Sequence, residues 1–363
     1  MLYHLLVPLA DEISVLNVFK YITFRAAGAT LTALIVTLIF GPLFIRLLQR
    51  GGVKEKIREE GPRTHYSKAG TPTMGGVIIL TAIILPLLLW ADLTNIYIQL
   101  MIFVTVWMGA IGFMDDYMKA ILKHPKGMIG KYKLVGQIIC GLVFGIVLYQ
   151  LPSSSGFDMT TEIPFVKDYY LDFRWAFVFV PFVVFVITGS SNAVNLTDGL
   201  DGLATGLSGI AFLAFAGFAY VTGRNDFSNY LQITYLEGAG ELTIYCTATM
   251  GAALGFLWWN SHPADVFMGD TGALALGGAL GAMSIMLKKE LLLVIVGGVF
   301  VAEALSVILQ VGSYKLRRVR IFKMAPLHHH FEEKGWPETK VVTRFWIAGA
   351  ICALLTLATL KVR

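Results

Sequence analysis

Ten apolar runs recur along this chain of 363 residues, each about as long as the roughly 17–25 residues that cross a bilayer as a helix. They lie near 22–48, 72–90, 95–114, 134–151, 174–190, 199–221, 242–259, 271–287, 291–312 and 342–360. Such runs leave few folds open, because in hydrocarbon every backbone polar group must be satisfied within the structure, and a helix does this within each segment. Composition agrees: 56% of residues are hydrophobic and 15% charged, where soluble domains carry about 25% charged residues. Once the runs are assigned, no stretch is left for a soluble domain of ordinary size. The expectation is an all-α polytopic membrane protein with ten transmembrane helices, one domain over residues 1–363. Met1 to about Lys20 mixes Leu and Val with His4, Asp11 and Glu12 and reads as a short interfacial helix. No small-residue cleavage site follows the first run, so no removable signal peptide is expected. Cys140, Cys246 and Cys352 all fall inside apolar runs without metal-ligand spacing, which suits buried small hydrophobes.

Basic residues orient the helices. Arg46 to Lys68 follows the first run, Lys119 to Lys133 the third, and Lys315 to Lys340 the ninth; each loop carries several Lys or Arg. These odd-numbered loops share one face, expected to be cytoplasmic, and an even number of spans puts both termini on the other side. The even loops are poor in cations, and 152–173 is acidic, with Asp158, Glu162, Asp168 and Asp172 against Lys167. Lys288 and Lys289 are a small exception.

The unusual polar sequence collects on the same face. Asn192-Ala-Val-Asn-Leu-Thr-Asp-Gly-Leu-Asp-Gly202 spaces Asn192, Asn195, Asp198 and Asp201 by three, which on helical backbone puts them roughly on one side. An Asp at the centre of a membrane helix costs roughly 2.5–3.5 kcal/mol on insertion scales and less near an end. Helix capping would use one or two of these groups, not four. Asp115 and Asp116 end the third run, where carboxylates oppose the helix macrodipole at about 0.3–1 kcal/mol each. A bound cation or a base explains them better than helix stability does, although a solvated pair balanced by Lys119 and Lys123 is the plain alternative. Asp270 stands between Gly269 and Gly272 before the eighth run, as an N-cap or beside a bound phosphate. His328-His329-His330 point in different directions on any regular backbone, so one shared metal is disfavoured, and phosphate contact or proton transfer suits them better. Lys68, before Gly75-Gly76, reads either as a lysine snorkelling to the interface or as a phosphate partner at a Gly-rich helix start, and Lys131 with Lys133 suits an anionic substrate or lipid headgroups. Carboxylate oxygens suit Mg²⁺, which keeps waters and bridges to phosphates, so the groups together indicate metal-assisted phosphoryl chemistry at a membrane surface.

With Ser67-Lys-Ala-Gly-Thr-Pro-Thr-Met-Gly-Gly76, Gly112-Phe-Met-Asp-Asp116, the Asn192–Gly202 stretch, Phe267-Met-Gly-Asp-Thr-Gly272 and Pro326-Leu-His-His-His-Phe-Glu332, the chain resembles the polyprenyl-phosphate N-acetylhexosamine-1-phosphate transferase superfamily, in particular its muramoyl-pentapeptide branch. The resemblance runs from about Tyr21 to Leu360. It implies a bacterial inner-membrane enzyme with periplasmic termini and cytoplasmic site loops, acting in peptidoglycan and so cell-wall synthesis. UDP-N-acetylmuramoyl-pentapeptide and undecaprenyl phosphate would give lipid I and UMP, with Mg²⁺ required. It further implies Asp270 as the Mg²⁺ ligand, Asp115 and Asp116 beside the lipid phosphate with Asp115 as general base, and His329 as the foremost histidine. Lys68, Asn195, Asp198, Gly199, Leu200, Asn260 and Phe267 would form the uridine pocket, with Asn192 and Asp201 beside it. Lys131, His328 and His330 would contact phosphates. A homodimer suits the resemblance, membrane lipid is a partner, and no nucleic acid is expected. Direct attack by the lipid phosphate and a two-step route through an aspartyl phosphate both stay open. A UDP-N-acetylglucosamine-using relative is the alternative. An ion-coupled transporter is a more distant one, since its ionisable groups would sit near the midplane, where Glu303 is the clearest example.

Overall fold

The computed structural model describes residues 1–50, 70–124, 127–151, 159–166, 169–173 and 175–361. Each apolar run meets helix. The N-terminal segment is α1 (Leu2–Leu6) followed by two 3-10 turns, Pro8–Asp11 and Ser14–Lys20, in place of a single interfacial helix. Then come α2 (Ile22–Arg50), α3 (Gly76–Trp90), α4 (Ile96–Ala120), α5 (Gly130–Tyr149), α6 (Ala176–Thr197), α7 (Leu203–Thr222) and α8 (Asn225–Leu231). The chain ends with α9 (Leu242–Asn260), α10 (Gly269–Met286), α11 (Glu290–Val296), α12 (Gly298–Arg317), α13 (Leu327–Glu332) and α14 (Glu338–Ala358). Among the described residues, eight helices are long and apolar enough to cross a membrane: α2, α4, α5, α6, α7, α9 with its 3-10 lead-in, α12 and α14. The apolar α3 is shorter, at 15 residues.

Three further features depart from expectation. The ninth run is divided at Gly297 into α11 and α12. The fifth continues helically to Thr197, so Asn192 and Asn195 lie on α6 and not in the loop after it. The fold is also not wholly helical, since β1 (Thr160–Glu162) and β2 (Tyr170–Asp172) pair antiparallel, Thr160 opposite Asp172 and Glu162 opposite Tyr170. This hairpin accounts for the exceptional lysines. Lys288 and Lys289 are buried, Lys289 pairs with Glu162, and Thr161 Oγ1 donates to Glu290 Oε2 at 2.9 Å. A buried cation needs such a partner.

At the centre stands α10, buried at every position from Thr271 to Met286. It packs chiefly on α4 and α6, and also on α3, α7 and α11. Lipid tails are as apolar as leucine, so membrane helices associate through close packing and hydrogen bonds, which small residues permit. Glycine, alanine and serine dominate α10. Against it, Ser190 Oγ donates to Gly277 O at 2.7 Å and Ser191 Oγ to Leu274 O at 3.1 Å. These contacts fix the end of α6 beside the start of α10.

Candidate active site

Two carboxylates in the last turns of α4, Asp115 and Asp116, meet the beginning of α10, each in a different way. Asp116 is buried and accepts hydrogen bonds from Asp270 N at 3.1 Å, Thr271 N at 2.9 Å and Thr271 Oγ1 at 2.6 Å. The first amides of a helix lack partners within it, and α10 has no side-chain cap of its own. Asp116 supplies the cap from another helix, and the positive end of α10 offsets its unfavourable place at the end of α4. Glycines allow the approach: a Cβ at Gly112 would stand 2.2 Å from Asp270 O, and one at Gly76 would stand 2.1 Å from Gly272 N. Backbone bonds complete the seat, with Gly75 N donating to Phe267 O and Gly76 N to Met268 O, both at 2.8 Å.

Asp115 and Asp270 share two ammonium groups. Asp115 Oδ2 is 2.6 Å from Lys119 Nζ and 2.8 Å from Lys133 Nζ, and Asp270 Oδ2 is 2.8 and 2.7 Å from the same two nitrogens. Met128 N donates to Asp115 Oδ1 at 2.6 Å, and Asn195 Nδ2 to Asp270 Oδ1 at 2.5 Å. Asn192 Nδ2 donates to Gln137 Oε1 at 2.9 Å, which orients the neighbouring face of α6. Asp115, Lys119, Lys133, Gln137, Asn192 and Asn195 wall an open cavity of about 430 Å³. Lysines beside a cavity suit phosphate, and the converging carboxylate oxygens of Asp115 and Asp270 are the hard donors a divalent cation such as Mg²⁺ takes. None of the three adjacent histidines joins this cluster.

The other expected residues divide. Asp198, at the end of α6, and Gly199 are half-buried, and Leu200 is buried. Helix α7 starts from Gly202 with no side-chain cap, so capping does not account for the polar stretch. Asp201 turns away from the carboxylate–lysine cluster: it accepts from His262 Nδ1 at 3.0 Å and Ala264 N at 3.2 Å, while its own N–H donates to Glu338 Oε1 at 2.8 Å. Asn260 is engaged within the fold, accepting from Thr205 Oγ1 at 2.9 Å and donating to Val266 O at 3.0 Å. Phe267 is half-buried. His328 is buried, His329 Nδ1 lies 2.8 Å from Glu332 Oε2, and His330 Nδ1 accepts from Lys323 N at 3.1 Å. Partial burial, with Lys334 and Lys323 nearby, holds the His330 imidazole below its ordinary value. Lys68 lies outside the described residues.

Lys131 is exposed, its Nζ 5.2 Å from the centroid of the Tyr132 ring, while Lys133 occupies the cluster. The sequence held the signal: Gln137, polar inside an apolar run, is four residues after Lys133 and shares its helix face, whereas Lys131 is two residues off and faces elsewhere. Lys119 likewise follows Asp115 by four.

A bundle of membrane-length helices with a carboxylate–lysine cluster beside an open cavity has the parts of an integral-membrane enzyme acting on phosphates, and its relatives make that class a transferase. The profile of glycosyl transferase family 4 matches residues 98–288, just over half the chain, and a phospho-N-acetylmuramoyl-pentapeptide-transferase signature matches residues 68–80. The chain is 54% identical over 381 aligned residues to the phospho-N-acetylmuramoyl-pentapeptide-transferase of Gemmatimonas aurantiaca, with 100% of both chains covered. It is 53% identical over 363 residues to those of Pelobacter propionicus and Citrifermentans bemidjiense, again with 100% of both covered. The chain belongs to the phospho-N-acetylmuramoyl-pentapeptide-transferase family.

Proposed function

We propose that this protein transfers phospho-N-acetylmuramoyl-pentapeptide from its UDP-linked donor to undecaprenyl phosphate, giving lipid I and UMP in peptidoglycan biosynthesis. The observation that carries this, beside full-length kinship, is the convergence of Asp115 and Asp270 on Lys119 and Lys133 at an open cavity. An oxygen of the lipid phosphate attacks the phosphorus next to the sugar. The bond from that phosphorus to the oxygen bridging it to UMP breaks, and UMP leaves with the electron pair. Two unit charges 4 Å apart repel by about 4 kcal/mol at an effective dielectric of 20, so an anionic nucleophile needs cations beside its target. Lys119 and Lys133 supply them. Asp115 accepts from both lysines and from Met128 N, which suits holding cations better than removing a proton from a phosphate already ionised at neutral pH. Asp270 with Asp115 would hold Mg²⁺, which when bound supplies charge neutralisation at the diphosphate. Asn195 orients Asp270, and the turn from Asp198 to Leu200, with Phe267 and Lys68, forms the nucleotide pocket.

All ten apolar runs cross the bacterial inner membrane, with both termini periplasmic and the site cytoplasmic. The basic odd-numbered loops support this orientation, and so does their shared face with the acidic motifs. A homodimer is the assembly that suits the family.

The test is UMP release by the full chain in detergent, with undecaprenyl phosphate, Mg²⁺ and either UDP-N-acetylmuramoyl-pentapeptide or UDP-N-acetylglucosamine. Release from the muramoyl donor alone, abolished by EDTA and by Asp270→Asn, is expected. Release from the glucosamine donor alone would overturn the substrate, and release indifferent to EDTA would overturn the metal.

A further inference from the structure

Glu303 is a fully buried carboxylate in α12, a helix of membrane-spanning length, and the chemistry described so far does not use it. A carboxylate there is unfavourable unless it is paired. Its partners all belong to the histidine turn. Oε2 accepts from Leu327 N at 2.6 Å, Oε1 accepts from His328 N at 3.1 Å, and Oε2 stands 3.2 Å from His328 Nδ1. Glu303 therefore caps α13 from a separate helix and stands at one nitrogen of a ring that is itself fully buried. Neither ring nitrogen completes a hydrogen bond among the described residues, so Glu303 acts on Nδ1 through its charge at 3.2 Å, and the other nitrogen, Nε2, is free of any carboxylate among them. It is directed at Gly199, where an added Cβ would lie 2.3 Å from it.

A carboxylate beside one imidazole nitrogen favours the hydrogen on that nitrogen, which sets the tautomer of the ring. We infer that Glu303 is a positioning residue for the transfer reaction: it holds His328 with hydrogen on Nδ1 and Nε2 toward Gly199, and so fixes the Asp198–Leu200 turn. This rests on the nucleotide-pocket role proposed above for that turn. The order of action is Glu303 on His328, His328 on Gly199, and the turn on the UDP end of the donor. Glu303 touches no substrate.

Glutamine is the informative replacement. Both carboxylate oxygens accept an N–H from the backbone, so either orientation of a glutamine amide sets its NH₂ against a donor. In Glu303→Gln, KM for UDP-N-acetylmuramoyl-pentapeptide is expected to rise about tenfold, the scale of one buried group left unpaired. KM for undecaprenyl phosphate should stay unchanged, and adding His328→Gln should raise donor KM no further. In folded Glu303→Gln, a lower kcat with both KM values unchanged, like an unchanged donor KM, would overturn the assignment. Glu303→Asp, one methylene short of its partners, is the second variant should Glu303→Gln not fold. A substrate-free arm keeps the two proposals separable. In protein carrying ¹⁵N-histidine at pH 8, His328 should be among the rings with hydrogen on Nδ1, as His262 and His329 beside their own carboxylates are; the one signal lost in His328→Gln should be altered in Glu303→Gln. If the wild type releases no UMP from this donor, the functional proposal fails while the ring signal still decides how Glu303 holds His328. An identical ring signal in Glu303→Gln would overturn the inference.

Discussion

At the residue scale, two lysines two positions apart have different surroundings. Lys133 bridges Asp115 and Asp270, and Lys131 lies exposed over Tyr132. Hydrogen bonds to charged groups are worth about 1.5–3 kcal/mol, so Lys133→Gln should cut the rate of UMP release by roughly ten- to a hundredfold. An exposed cation contributes about 0–1 kcal/mol, and Lys131→Gln should cost no more than a few-fold in the same assay. Equal losses in the two variants would show that the bridge is unimportant. The three histidines separate in the same manner. His330 is held below its ordinary value by partial burial and the nearby lysines, and its Nδ1 accepts from Lys323 N. Asparagine retains an acceptor, so His330→Asn should keep UMP release within about twofold at pH 7, and a larger loss would mean that a charged ring is needed. The acidic residues were legible from sequence because carboxylates at the ends of membrane helices are out of place. The choice between Lys131 and Lys133 was legible only from the helix face marked by Gln137. Glu303 stood out as an interior charge, but its hold on His328 depends on two segments meeting in space, and no local pattern encodes that.

At the element scale, Asp270 is placed by close contacts of α10 with α3 and α4. A side chain at Gly112 would collide with backbone, which cannot yield as a flexible side chain does. Gly112→Ala should destabilise the protein by about 1–3 kcal/mol, the usual cost of overpacking, and lower its Tm in detergent. Gly312→Ala is the control: a Cβ there meets nothing within 4 Å, and alanine in a helix gains roughly 0.5–1 kcal/mol over glycine, so its Tm should hold or rise. The helices were largely foreseeable because bilayer thickness dictates their length. Their ends were less so. Helix α6 runs on through Ser190, Ser191, Asn192 and Asn195 because Gly277, Leu274, Gln137 and Asp270 satisfy those side chains, and only the packed partner shows this. The hairpin escaped notice because three-residue strands give too little alternation to read.

At the scale of the whole molecule, the centre of the bundle and the start of the site are one element. Helix α10 is buried from Thr271 to Met286, and its first amides are held by Asp116. Proteins open in cooperative units, and functional loops usually belong to the least stable of them. Here the amides of Asp270 and Thr271 should exchange with deuterium as slowly as those in the middle of α10. Asp116→Asn, which replaces one acceptor oxygen with an NH₂ group, should accelerate both. Exchange at loop-like rates in the wild type would show that the cap does not hold in solution. The consequence reaches past stability. Asp270 rides on the helix that the rest of the bundle encloses, so a lineage cannot retune its position without repacking the interior. A change in what such a protein accepts is therefore expected in the turns and loops around a fixed acidic post, where side chains can be exchanged without disturbing the packing of α10.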